Sequence, residues 1–251
     1  MSESRSHSAA RVGQALPGWR AGALAPWRLS SQQIDLVVAL LGLLALLAWE
    51  AAGQDLAVSR HFGTHDGFAW RNAWFTRALV HDGGRALGWC VMAFMVGRAL
   101  WHTDDAAARR RRWYWIGATL LCLLLVPTIK QLTASSCPWD LAEFGGVAVY
   151  VPHWRLFVRD GGPGHCFPSG HAVAAFAFLT LYFDWRDLRP RLARTCLALV
   201  CGVGALYGWA QLARGAHFVS HTLWSAWLCW VVCALAAYWQ VQRETRTSPS
   251  A

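Results

Sequence analysis

Residues of the types that bind and transfer a phosphoryl group stand at three separated places in this chain. Cys166-Phe167-Pro168-Ser169-Gly170-His171 is followed directly by an apolar run, 172–183. A Pro-Ser-Gly turn that opens a helix leaves backbone N–H groups unpaired and aimed outward, and with the positive end of the helix dipole they form an anion pocket. Ser169 adds a hydroxyl donor and His171 a group that titrates near neutral pH. Taken alone, the string also fits an ordinary N-capped helix start. Lys130 is the single lysine among 23 basic residues. Arg serves as the interfacial anchor everywhere else, so a compact ammonium at this one place points to a phosphate. The third place is Gln211-Leu212-Ala213-Arg214-Gly215-Ala216-His217, with His221 four residues on. Two histidines beside a cationic pocket suit covalent phosphoryl transfer, in which one attacks phosphorus and the other protonates the leaving oxygen. Positioning and charge neutralisation supply most of the rate in such a site.

The elements that must carry these residues are membrane spans. The chain is 55% hydrophobic, only 15% charged, and holds 17 Trp in 251 residues, too apolar for an average soluble domain. Six apolar segments follow one another over residues 34–53, 87–101, 113–129, 171–183, 195–213 and 222–239, and the longest cover a hydrocarbon core of about 30 Å. The second and fourth are short and need flanking residues to complete them. Lys130 ends the third segment, Ser169 to His171 open the fourth, and His217 lies between the fifth and sixth, so all fall at one mouth of the bundle. The expected fold is all-α: a polytopic six-helix membrane bundle with its active site at the outer face. Residues 1–33 form a cytoplasmic tail without helical period, 34–240 the membrane domain with one long external loop over 130–169, and 241–251 a second cytoplasmic tail. A further helix over 68–81 either lies in the outer interface or packs against the bundle.

Net charge is +9 with a pI of about 9.6, which in a soluble protein would suggest nucleic acid. Here fourteen basic residues fall in the two tails and in the loops after the second and fourth segments, against eight on the other side, in the loops after the first, third and fifth. That bias places both termini in the cytoplasm, assigns the charge to topology and leaves nucleic acid out. Six of the eight cysteines lie inside apolar segments and read as small buried hydrophobes. Cys137 and Cys166 share the external loop, where disulfides persist, and each abuts a candidate site segment. A bridge between them is expected, with a free Cys137 thiol in the pocket wall as the alternative. No Cys-x-x-Cys pattern suggests zinc.

With these residues in place, the chain resembles the type 2 phosphatidic acid phosphatase superfamily of membrane lipid phosphatases. That family carries three motifs, Lys-x6-Arg-Pro, Pro-Ser-Gly-His and Ser-Arg-x5-His-x3-Asp. Here they read Lys130-x6-Cys137-Pro138, Pro168 to His171 intact, and Ala210-Gln211-x5-His217-x3-His221. The resemblance implies that Lys130, Ser169 and Gly170 bind phosphate, that His171 is the general acid, and that His217 is the nucleophile of a phosphohistidine intermediate, with no metal or other cofactor. It departs at three positions: Cys137 and Gln211 stand where the family has phosphate-binding arginines, and His221 where an Asp orients the nucleophile. Arg214, one turn beyond Gln211, is a candidate replacement cation or an interfacial anchor; a neutral His221 can accept a hydrogen bond from His217 and set its tautomer.

The expected activity is hydrolysis of a lipid phosphate or diphosphate at the periplasmic side of a bacterial-type inner membrane, with the lipid and the bilayer as partners. Transfer of the phosphoryl group to a lipid acceptor uses the same residues. From another class comes a phospholipid-binding or transport protein that kept the pocket and lost catalysis; retention of both His171 and His217 argues against it. Nothing in the sequence sets the oligomeric state.

Overall fold

A computed structural model of the protein describes residues 29–101, 105–153, 155 and 158–247. The expected N-terminal tail therefore lies, up to residue 28, outside the described residues, as do the last four residues of the C-terminal one. The long helices are α1 (Ser31–Ala51), α3 (Gly83–Leu100), α4 (Ala106–Leu132), α7 (Pro190–Ala213) and α8 (Val219–Thr247). A short α2 (Gln54–Ser59) follows α1. Helix α8 runs on past residue 240, into the segment expected to be tail. Ser30 starts α1 with a capping box, its Oγ accepting from Gln33 N while Gln33 Oε1 accepts from Ser30 N.

Among the described residues, four helices are long and apolar enough to cross a membrane: α1, α4, α7 and α8 as far as Arg243. Their outer faces carry Leu36, Leu40, Leu41, Leu44, Leu124 and Leu199, all more than 45% exposed, which only a hydrocarbon solvent would tolerate. The expected second and fourth spans are also helical, but shorter. The second is α3, with 18 residues. The fourth is a rod in three pieces, α5 (Val173–Phe176), a 3₁₀ turn over Ala177–Leu179 and α6 (Thr180–Trp185).

That rod packs against α3, α4, α7 and α8. Ala172, Val173, Phe176, Ala177, Phe178, Leu179 and Phe183 are all buried, so it is the interior helix of the bundle. An interior helix faces protein rather than lipid and need not match the bilayer thickness. Helix α7 comes against it at Gly204, where a Cβ would sit 2.3 Å from Phe176 Cζ. At the inner end, Arg186 Nη1 bonds both carboxylate oxygens of Asp35 at 2.7 Å and fastens the rod's end to α1.

The helix expected over 68–81 is shorter and differently placed. Residues Gly63–Thr64 and Gly67–Phe68 pair as a small antiparallel hairpin, and a π-helical stretch, Phe75–Asp82, leads without a break into α3. Trp70 and Phe75 both pack edge-on against Trp209 of α7, so this segment belongs to the bundle. The long loop over 130–169 folds as a cap. Leu141 bridges Ala148, and Ser136 N and Oγ bond Asp160 at 2.6 and 2.8 Å, closing the loop on itself.

Candidate active site

Three chain segments meet at one mouth of the bundle, and backbone hydrogen bonds fix their register. Lys130 occupies the last turn of α4. Just beyond it, Thr133 Oγ1 donates to the Phe167 carbonyl at 2.6 Å, while His165 N and Cys166 N donate to the carbonyls of Thr133 and Ser135. Cys137 and Cys166 are joined by a disulfide, with Cα atoms 5.2 Å apart. The segment after Lys130 and the segment before Pro168 are thus held side by side.

The turn at Ser169 is bound to the third segment. Ser169 N donates to the His221 carbonyl at 3.0 Å, and Ser225 Oγ donates to the Ser169 carbonyl at 2.9 Å. Ser169 Oγ, fully buried, accepts from Ala172 N at 3.3 Å. Ser169 therefore anchors the turn. Among the described residues no backbone partner is recorded for the N–H groups of Gly170 and His171, which are left for a ligand. A Cβ on Gly170 would lie 4.0 Å from Lys130 Nζ, so the ammonium and this turn face one space.

Helix α7 ends on Gly215, whose φ of 71° is the left-handed conformation that closes a helix. The Gln211 carbonyl accepts from Ala216 N at 2.8 Å and from His217 N at 3.3 Å, which turns the chain so that His217 projects back over the mouth. Gln211 itself is buried at the end of α7. His217 and His171 face each other with ring centroids 6.4 Å apart. His217 Nδ1 lies 3.1 Å from His221 Nδ1. Burial, then the charge of Lys130, hold the His217 imidazole well below its ordinary pKa, so the ring is neutral and nucleophilic at physiological pH. Burial, then the neighbouring charges of His81, Lys130 and Arg214, push the His171 ring down to about 3, so it is neutral in the ligand-free protein.

Arg214 is buried rather than extended toward headgroups, and its Nε donates to the Arg71 carbonyl at 3.0 Å. Its charge acts on both His171 and His217. The structure thus brings together Lys130, Gly170, His171, Arg214, His217 and His221. Cys166 Sγ and ring nitrogens of His217 and His221 lie within 4.8 Å of one another, a spacing seen in metal sites. The sulfur is already bonded to Cys137, and a disulfide sulfur is not a thiolate donor.

Three residues at the site were not singled out from the sequence. His81, at the end of the π-helical stretch, stacks on His171 with centroids 3.8 Å apart and bonds Asp82 through Nδ1 at 2.8 Å. Asp55 of α2 is fully buried beneath the third segment, and His153 of the long loop lies between Asp55 and His221. A signal for Asp55 was present, because an acid soon after a long charge-free apolar run is costly unless it has partners. Apart from Trp49, its side-chain partners His153 and Ser220 lie 98 and 165 residues away in sequence, which hid it.

The PAP2 superfamily family model matches residues 111–245, a stretch that contains Lys130, the Pro168 to His171 turn and His217. No curated protein and no solved structure matches the chain.

Proposed function

The chain belongs to the PAP2 superfamily, whose members are phosphatases of lipid or related phosphates, and from that premise we propose that it is an integral membrane lipid phosphatase working through a phosphohistidine on His217. The ammonium of Lys130, the N–H groups of Gly170 and His171 and the guanidinium of Arg214 hold the non-bridging oxygens. His217 Nε2 attacks phosphorus while the bond to the leaving oxygen breaks and that oxygen takes a proton from His171. Water then attacks phosphorus, His171 takes its proton, the P–N bond breaks, and inorganic phosphate leaves with His217 neutral again.

The observation that carries the lipid assignment is a cavity of about 250 Å³ that opens between α3 and α4 and ends on Gly170 and His171. Its walls include Trp89, Met92, Leu123 and Phe178, and Arg85 is the one charged residue on it. An apolar groove that terminates at the proposed general acid suits a hydrocarbon chain whose headgroup oxygen is the leaving group. Purified protein in detergent should release phosphate from long-chain lipid phosphates or diphosphates far faster than from a water-soluble phosphomonoester. Equal rates on both, or none on any lipid phosphate, would sink this reading.

The proposed topology has six crossings, with α3 and the interior rod included, both termini cytoplasmic and the site at the periplasmic face of a bacterial-type inner membrane. Reporter fusions at Ala106 and Gly162 should then report opposite compartments. The same compartment for both would overturn it.

A further inference from the structure

The third motif ends on His221 where the resemblance expects an acid, yet a carboxylate is present behind it. Asp55 is fully buried at the start of α2. One carboxylate oxygen, Oδ1, accepts from Ser220 N at 3.0 Å and from Trp49 Nε1 at 2.8 Å. The other, Oδ2, accepts from Ser220 Oγ and lies 3.3 Å from His153 Nε2. Burial pushes the Asp55 carboxyl up, but the bonds from His153 and Ser220 outweigh it and leave the group below its ordinary value, hence ionised.

From Asp55 the rings run in a row to the nucleophile. His153 is held stacked on Phe167, the residue before Pro168, with centroids 4.8 Å apart and planes at 11°. The His153 and His221 rings meet edge to face at 4.4 Å, and His153 Nδ1 and His221 Nε2 are each buried with no hydrogen-bond partner. His221 Nδ1 then meets His217 Nδ1 at 3.1 Å.

Only one proton fits between those last two atoms. The choice is set at the far end. An ionised carboxylate only accepts, so His153 carries its proton on Nε2 and presents a lone pair at Nδ1. A hydrogen bond from His221 Nε2–H to that lone pair would satisfy both unpartnered atoms and leave His221 accepting at Nδ1. His217 must then hold its proton on Nδ1, which leaves the Nε2 lone pair free for phosphorus.

We propose that Asp55 is the carboxylate of this active site: acting through His153 and His221 it fixes the tautomer of His217, replacing from another helix the acid absent from the third motif. Asp55 and His153 are positioning residues in this assignment, which rests on the phosphatase reading above. As Nε2 bonds to phosphorus the His217 ring gains positive charge while keeping its Nδ1 proton, and the row ends on the negative charge that balances it.

The test uses the full chain in detergent, with Asp55→Asn and His153→Phe made alone and combined with His221→Asp. Asn preserves volume but offers His153 a donor, and Phe keeps the stack on Phe167 but removes the nitrogens. Each single change should lower kcat by roughly 10² to 10⁴-fold with little change in KM, the scale seen when an orienting carboxylate is lost from a histidine. With His221→Asp a carboxylate contacts His217 directly, so the same changes should cost less than about 3-fold in that background. Nitrogen-15 NMR of the histidine rings in the resting protein should show His217 protonated on Nδ1 and should show that proton moved in Asp55→Asn; this readout decides where a variant is inactive. Equal losses in both backgrounds, or ring tautomers that ignore Asp55→Asn, would overturn the proposal. Tautomers that follow Asp55 in a protein releasing no phosphate from any lipid phosphate would support the row and sink the phosphatase reading instead.

Discussion

His217→Ala is expected to eliminate turnover, with a fall in kcat of about 10³-fold or more, because it removes the proposed nucleophile of the covalent step. His171→Ala removes the proton donor to the leaving oxygen and should cost roughly 10² to 10⁴-fold. The two rings face each other across 6.4 Å, the gap in which one phosphoryl group would bridge them, so they act on a single transition state. The double variant should therefore be no worse than His217→Ala alone. Acid-quenched protein labelled with a phosphorus-32 lipid phosphate should carry acid-labile label in the wild type, accumulate it least in His217→Ala, and show slowed labelling in His171→Ala. Full activity in His217→Ala, or label that survives the loss of His217, would refute the phosphohistidine.

Removing the Cys137–Cys166 bond by changing both residues to Ser should lower stability by about 3 to 4 kcal/mol, the chain-entropy scale for a loop of 29 residues. For a protein of this size that corresponds to a fall in melting temperature of roughly 10 °C. The effect should reach the site, because the bond holds the strand after Lys130 beside the turn at Ser169, with the hydrogen bonds at Thr133 and Ser135 as the remaining ties. Cys166 is fully buried, so reductant should act on the native protein slowly. Melting curves of wild type and double variant in detergent, with alkylation counts on the unreduced wild type, check this. Eight reactive thiols, or coincident melting curves, would remove the bond from the account.

Much of the architecture was legible in the residues because the bilayer leaves few choices. A long run without charge must be a helix that satisfies its own backbone, and the excess of arginine in alternate loops orients it. The Pro-Ser-Gly-His turn, the solitary Lys130 and the spacing of His217 to His221 could be read as chemistry for a similar reason: each is a local pattern whose neighbours in sequence are its neighbours in space. The two extramembrane cysteines stood out by the same contrast, since the other six sit in apolar segments. The short fourth segment was legible as an anomaly but not as an interior helix, because which helix others surround depends on packing that no single segment records. The helix expected over 68–81 began late for the same kind of reason: Gly63 to Phe68 pair across a turn, and Trp70 finds its partner on α7, far along the chain.

The sequence by itself determined the membrane class and pointed to three segments as the candidate site, since both follow from residue type and local spacing. Tertiary structure alone decided that Ser169 anchors the turn, that Arg214 is folded in rather than out, and that Asp55, His153 and His81 stand with the site. Charge and hydrogen bonding act through space over a few ångströms, and Asp55 reaches His153 and Ser220 across 98 and 165 residues of chain. A carboxylate missing from a motif can be restored from any helix that passes behind it, and only the packed bundle shows which one does.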